Sequence, residues 1–159
     1  MAEWLRPKIE WESTDYFNAS DYNRIVGNVL YLEELAQHTI GVLEYQGMTE
    51  EKHNLDMLYA REMNAIEANV EKIDAYYKID NKIVRYTDNG AFLTYAELNR
   101  LEALIYMLYV TMKSQLSFAK HLSFKLGTRN FAPKTTVEDY TEDLYRLAYI
   151  LGQKGDIKE

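Results

Sequence analysis

Apolar residues recur at helical spacing through Ile25, Val29, Leu32, Leu35 or Ala36, and Leu43, with polar residues between them. Asn18 is a good N-cap, Asp21 three residues on completes an acidic capping box, and Phe17 with Tyr22 forms a hydrophobic staple. A first helix is therefore expected from Asn18 to a stop at Gly47. A second row, Leu55, Leu58 or Tyr59, Glu62, Ile66, Val70, Ile73 and Tyr77, predicts a helix starting near Thr49. From Lys82 to Leu93 the pattern changes to short apolar runs about Thr87-Asp88-Asn89-Gly90, which predicts a β-hairpin. Thr94 and Glu97 box the start of a third helix that runs toward Leu126 and Gly127. Unbroken, it would be about 48 Å long. From Ala103 to Met112 it is apolar on nearly every side, the mark of a helix surrounded by partners. Thr136 caps a last helix over 137–151.

The expected fold is mainly α: an antiparallel helical bundle of about four helices with a short β-hairpin insert. Residues 1–16 form an extended aromatic arm, 17–152 one helical-bundle domain with the hairpin near 82–93, and 153–159 a loose tail. The arm carries Trp4, Pro7, Ile9 and Trp11 without helical spacing. Two tryptophans are costly to leave in water, so the arm docks either on its own core or on a neighbouring copy.

A shift of 76 positions places Phe17-Asn18 on Leu93-Thr94, Asp21-Tyr22 on Glu97-Leu98, and Asn23-Arg24-Ile25 on Asn99-Arg100-Leu101. Two readings stay open. Any two well-capped amphipathic helices resemble one another; alternatively a helical hairpin is duplicated, which would pack helices one and two against three and four about a pseudo-twofold axis.

Composition narrows the chemistry. The 159 residues include no cysteine, which excludes thiol catalysis, iron–sulfur clusters and Cys-ligated zinc. A net charge of −7 supplies no overall basic field for nucleic acid. The longest apolar stretch, 103–112, is half of the roughly 20 residues a bilayer needs. Neither nucleic acid nor membrane is expected as a partner, and the N-terminus lacks the apolar run of a secretory signal. No nucleophile elbow or phosphate loop is present. The one conceivable metal set is Glu34, His38, Glu50 and His53, which would make the chain a helical-bundle metal enzyme or ligand carrier. No cofactor is expected.

Charge and tyrosine content point elsewhere. Residues 1–80 carry 16 acids and 7 bases, net −9, whereas 81–159 carry 9 acids and 11 bases, net +2. Such asymmetry can solvate helix ends or fix register between copies. Fourteen tyrosines are more than one core comfortably buries, and tyrosine favours interface cores. Tyr106 and Tyr109 lie on different sides of the apolar third helix and are candidates for a homo-oligomeric contact.

The run Pro7-Lys8-Ile9-Glu10-Trp11, Asp15-Tyr16-Phe17-Asn18, Asp21-Tyr22-Asn23-Arg24-Ile25, Asn28 and Leu32 resembles the opening of tail, baseplate and minor structural proteins of phages and prophages of Gram-positive bacteria. The resemblance covers residues 4–35. It implies a virion or tail-assembly component without catalytic activity, made in the host cytoplasm, that contacts itself and neighbouring phage structural proteins. A host cytoplasmic adaptor is the further alternative. In physical terms Arg24 and Asn28, one turn apart, form a polar clamp on the preceding arm. The expected protein-contact residues are Trp4, Trp11, Tyr16, Arg24, Tyr106 and Tyr109.

Overall fold

The computed structural model describes residues 3–49, 51–79, 82–88, 90 and 93–125, with side chains in the last helix as far as residue 116. The chain divides into two compact units, Met1–Met112 and Lys113–Glu159. The first unit holds the architecture. Among the described residues there are three helices: α1 (Ala19–Thr39), α2 (Ala60–Tyr77) and α3 (Tyr95–Lys125). The expected last helix over 137–151, the tail 153–159 and the close of the third helix at Leu126 and Gly127 lie outside the described residues.

The helices run in one direction, not antiparallel as expected. Arg24 of α1 pairs with Glu102 of α3 at 2.8 Å, and seven residues further along both helices the rings of Tyr31 and Tyr109 lie 5.9 Å apart. Likewise Asn69 of α2 donates to Glu33 of α1 at 2.9 Å, and further along both helices Thr39 meets the Tyr77 hydroxyl at 2.9 Å. Opposed helices would separate the second contact of each set by about 20 Å. Parallel neighbours need a return path, and non-helical straps provide it.

The straps explain the other departures. α1 stops at Thr39, with Gly41 at φ +104°, and α2 begins only at Ala60, so the described residues of 41–59, expected to be largely helical, are not. Helix propensity there loses to side-chain amides. Gln46 and Lys52 each donate their N–H to, and accept through their C=O from, one asparagine, Asn69 and Asn23 respectively. Backbone groups engaged in this way are withdrawn from a helical ladder. The hairpin fails for the same reason: residues 82–88 form no strand, because both backbone groups of Tyr86 go to Asn64. The expected turn survives as a Gly90 N–H to Thr87 C=O bond of 3.0 Å, while residues 89, 91 and 92 lie outside the described residues.

The echo between α1 and α3 extends to α2, and it is threefold. The caps Asn18, Tyr59 and Thr94 each donate their backbone N–H to an acid three residues on, Asp21, Glu62 and Glu97. Five residues after each cap stands an asparagine, Asn23, Asn64 or Asn99. Each clamps the strap that leads into the next helix, and Asn99 closes the ring on Trp11 of the first strap. Ten residues after the cap, Asn28 and Asn69 clamp the strap of their own helix thirteen residues before that cap, at Leu5 and Gln46. The turn from Glu12 to Asp15 recurs from His53 to Asp56, with the same aspartate-to-backbone bond. The repeating module is thus a strap plus a helix, not a helical hairpin.

The core follows the same rule. Ile25, Ile66 and Leu101 stand seven residues after their caps, Val29, Val70 and Ile105 eleven after, and Leu32, Ile73 and Leu108 fourteen after. All nine are at most 1% exposed. Each contributes about 1.5–3 kcal/mol of apolar burial. The all-round apolar stretch of α3 is therefore largely covered within its own chain, with Ala103, Leu104, Ile105, Leu108, Val110 and Met112 buried.

Candidate functional site

The closing seam of the first unit, where the first strap lies on α1 and α3, gathers most of the residues singled out from sequence. Glu102, 1% exposed, accepts from Lys8 N–H at 2.8 Å, Trp11 Nε1 at 2.9 Å, and Arg24 Nε and Nη2 at 3.3 and 2.8 Å. Arg24 Nη1 turns back to Asp21 at 2.8 Å. Burial works against the guanidinium charge, but Glu102 and Asp21 outweigh it and hold the Arg24 pKa above its ordinary value. Asn99 clamps both backbone groups of Trp11, at 2.7 and 3.0 Å, and Asn28 clamps those of Leu5 at 2.9 and 2.8 Å. The predicted clamp on the arm is present at Asn28; Arg24 bonds to Glu102 and Asp21 and meets the arm only as a cation 5.8 Å from the Trp11 ring centroid, and the arm docks on its own chain.

Farther along, Trp4 stacks on Tyr109 with centroids 3.9 Å apart and planes at 9°, while Tyr31 leans on both. Tyr106 lies beside Tyr109, its centroid 6.5 Å away. Five of the six expected contact residues, Trp4, Trp11, Arg24, Tyr106 and Tyr109, thus take part in the closing seam or its aromatic extension. Tyr16 does not: it is 90% exposed.

Equivalent positions in the other seams carry different chemistry. Between α2 and α3, Arg100 Nη2 meets the fully buried Glu67, but Arg100 Nε and Nη1 and the Tyr86 hydroxyl are buried without a hydrogen-bond partner in good geometry. Burial pushes the Glu67 carboxyl up despite Arg100. Between α1 and α2 the matching residues are Val26 and Ala65, both buried. The counterparts there of Tyr109, Trp4 and Tyr31 are Glu33, Tyr45 and Lys72. Burial pushes Glu33 up to about 7, with the Asn69 hydrogen bond and the Lys72 charge opposing it.

Two hollows occupy matching places at the helix starts. One, about 310 Å³, lies between Phe17 and Tyr22 on one side and Lys52, His53 and Asp56 on the other. The second, about 560 Å³, lies between Tyr59 and Met63 on one side and Tyr86, Thr87 and Leu93 on the other. Around them large apolar side chains are exposed beside the exposed Glu12, His53, Asp56 and Asp88. Among the described residues, Tyr16, Leu55, Met57, Tyr59 and Tyr95 are 90%, 97%, 70%, 47% and 50% exposed. All five lie at a helix cap or in the four residues before it, or one after it. Since the helices are parallel, all five sit at one end of the ring. Sequence reading missed this end because Leu55 and Tyr59 were counted in the buried row of a helix that in fact begins at Ala60.

Of the conceivable metal set, Glu34 and His38 lie on α1, His53 N–H is bound by Asp56, and Glu50 lies outside the described residues. Among the described residues no three His, Asp or Glu side chains gather as a metal site would require, and no helix is long and apolar enough to cross a membrane. No protein-family model, curated protein or solved structure matches the chain.

Proposed function

We propose that this chain is a non-enzymatic structural and assembly protein of a phage or prophage particle, working through protein–protein contacts. The observation that carries the reading is the apolar end of the ring. A strap-and-helix scaffold with paired buried charges presents Leu55 and Met57 largely to solvent, and exposed patches of this kind mark interaction sites. The resemblance over residues 4–35 supports the setting. Its residues Trp11, Asn18, Asp21, Asn23, Arg24 and Asn28 are those that build the first module, by capping, clamping and ion pairing. The motif is therefore a recipe for a rigid part, suited to a particle component, and the contacts themselves fall to the exposed end.

The test is to purify particles released from a strain that carries the gene and measure the chain's copy number in them by quantitative mass spectrometry. A fixed number of copies per particle, lost when Leu55→Ser and Met57→Ser are introduced together, is the expected result. Complete, infectious particles without any copy would overturn the reading.

A further inference from the structure

The first module shows what the second could have been at the end where the helices start. Thr14-Asp15-Tyr16 and Leu55-Asp56-Met57 occupy matching places just before the caps Asn18 and Tyr59. Each aspartate accepts the backbone N–H three residues back, from Glu12 at 2.8 Å and from His53 at 2.7 Å. Asp15 is also neutralised by Lys8 at 2.9 Å. In the second module Thr49 stands in the place of Lys8, and Asp56 makes no ion pair among the described residues. The scaffold accepts threonine where Leu55 is 97% exposed, so folding does not call for the leucine. An acid without a cation thus stands between two exposed apolar side chains, at a turn that the first module builds with neither feature.

The same bias runs across the whole end. From six residues before each cap to three after it, the chain has seven Asp or Glu against one Arg or Lys, Arg61. Lys8, Arg24 and Lys52 reach in to pair with Asp15, Asp21 and Glu62. Glu12, Asp56, Asp88 and Glu97 are left without an ion pair among the described residues, and the Arg61 guanidinium lies over the Tyr59 ring, 4.9 Å from its centroid. The two hollows share Leu58 as a wall, and Asp56 lines the smaller and Asp88 the larger. Charge decides between occupants. A nucleic acid or an anionic membrane would meet like charge here. A second copy docked by the same end would set these acids against their own counterparts, an arrangement that suppresses association. A protein segment that carries lysine or arginine beside leucine or phenylalanine satisfies both features, filling the hollows and meeting the acids beside them.

We propose that the end of the ring where the helices start binds a cationic, apolar segment of a partner protein. The segment's apolar side chains enter the two hollows beside Leu55 and Met57, and its lysine or arginine side chains pair with Asp56 and Asp88. The proposal rests on the protein-contact reading above and adds the chemistry of the partner.

Fluorescence anisotropy tests it, with the full chain titrated up to millimolar concentration into a short labelled peptide that alternates lysine with leucine. The same peptide with glutamate for lysine, or with serine for leucine, is expected to bind at least about tenfold more weakly. Asp56→Asn with Asp88→Asn, which keeps an acceptor for the His53 N–H, and Leu55→Ser with Met57→Ser are each expected to raise Kd by a similar factor. Thr49→Lys supplies the missing lysine and is expected to weaken the peptide as Asp56→Asn does. Glu3→Gln with Glu44→Gln removes the same charge away from this end and is expected to leave Kd unchanged. No binding of the lysine–leucine peptide, equal binding of its glutamate counterpart, or a Kd that answers to Glu3 and Glu44 as much as to Asp56 and Asp88 overturns the proposal. So does a chain that ignores the peptide but dimerises through Leu55 and Met57 in sedimentation equilibrium, which would give the surface to a second copy. If the peptide does not bind yet Leu55→Ser with Met57→Ser excludes the chain from particles, this proposal fails and the assembly reading stands. If the peptide binds as expected but particles contain no copy, the assembly reading fails alone.

Discussion

Replacing Asn99 probes the device on which the whole ring depends. Its carboxamide accepts the Trp11 N–H at 2.7 Å and donates to the Trp11 C=O at 3.0 Å, both in part-buried surroundings. Asn99→Ala leaves two backbone groups without a partner, at about 1–3 kcal/mol each. The sum is about 2–6 kcal/mol, and because water can reach these part-buried groups the expected loss is in its lower half, about 2–4 kcal/mol, a large share of the roughly 5–15 kcal/mol that holds a domain together. Asn99→Asp separates the two bonds. The carboxylate still accepts from the Trp11 N–H but now faces a carbonyl oxygen, so its charged form is disfavoured in the fold. The folded pKa of the new aspartate then lies above its unfolded value near 4. The sign follows: the variant's deficit is fully present at neutral pH and shrinks as pH falls through the folded pKa, where the protonated acid donates to the carbonyl again. Urea unfolding followed by tryptophan fluorescence at pH 4 and pH 7, with exposed Asn54→Asp as control, measures both effects. Equal stability of Asn99→Ala and wild type, or a pH-independent deficit in Asn99→Asp, would refute the clamp.

The seams supply three further expected outcomes. Glu102→Gln removes the carboxylate that meets Arg24, Trp11 and Lys8, and is expected to cost about 3 kcal/mol of unfolding free energy in urea melts, as loss of one buried ion partner does. Glu33, raised to about 7, favours its neutral form in the fold, so its contribution is present below its unfolded pKa and is lost as pH rises through 7. Glu33→Gln should therefore flatten the fall in stability between pH 5 and 8 and raise it at pH 8, by about 1–2 kcal/mol after allowance for solvent screening; a thermal-melt series in which the variant keeps the wild-type slope would reject this. Val26→Glu and Ala65→Arg, placed where the other two seams have Glu and Arg, should each destabilise strongly and together recover at least about 1.5 kcal/mol in a double-mutant cycle; zero coupling would mean the α1–α2 seam is not equivalent to the others.

What was legible in the sequence is local. Asn18 with Asp21 and Thr94 with Glu97 announce two helix starts, and the structure places both where the boxes put them. The hold of Asn28 on the arm was also legible, since it stands one turn from Arg24 on the same face of α1; that Arg24 would reach the arm only through Glu102 and the Trp11 ring was not. The second helix start was not, because Tyr59 carries only half of a box and the apolar Leu55 and Leu58 before it mimic a continued helical row. That ten-residue displacement hid Asn64 and Asn69 from alignment with Asn23 and Asn28, and with them the third copy of the repeat. Helix direction was hidden for a different reason. Amphipathic periodicity tells which face is buried but not which way the next helix runs, and a strap held by asparagine amides has no periodicity to read.

The distribution of contacts among the three seams has its own logic. The clamps from Asn23 to Lys52 and from Asn64 to Tyr86 close loops of 29 and 22 residues, whereas Asn99 to Trp11 closes one of 88. The longer closure costs about 1 kcal/mol more chain entropy. It is at this seam that Glu102 takes four donors, that Arg24 is shared between two carboxylates, and that Trp4 packs against both Tyr31 and Tyr109. The seam between α1 and α2, which the chain reaches locally, manages with Val26 and Ala65 where the others have an ion pair. Buried charge is present at the α2–α3 seam as well, but there Glu67 and Arg100 keep unpartnered atoms, whereas at the long-range closure Glu102, Arg24 and Asp21 are fully hydrogen-bonded, and their geometric demands fix the register of the first strap. A ring closed in this way holds its three helix starts at one level, and a surface held rigid by the scaffold loses little ordering entropy in any contact it makes.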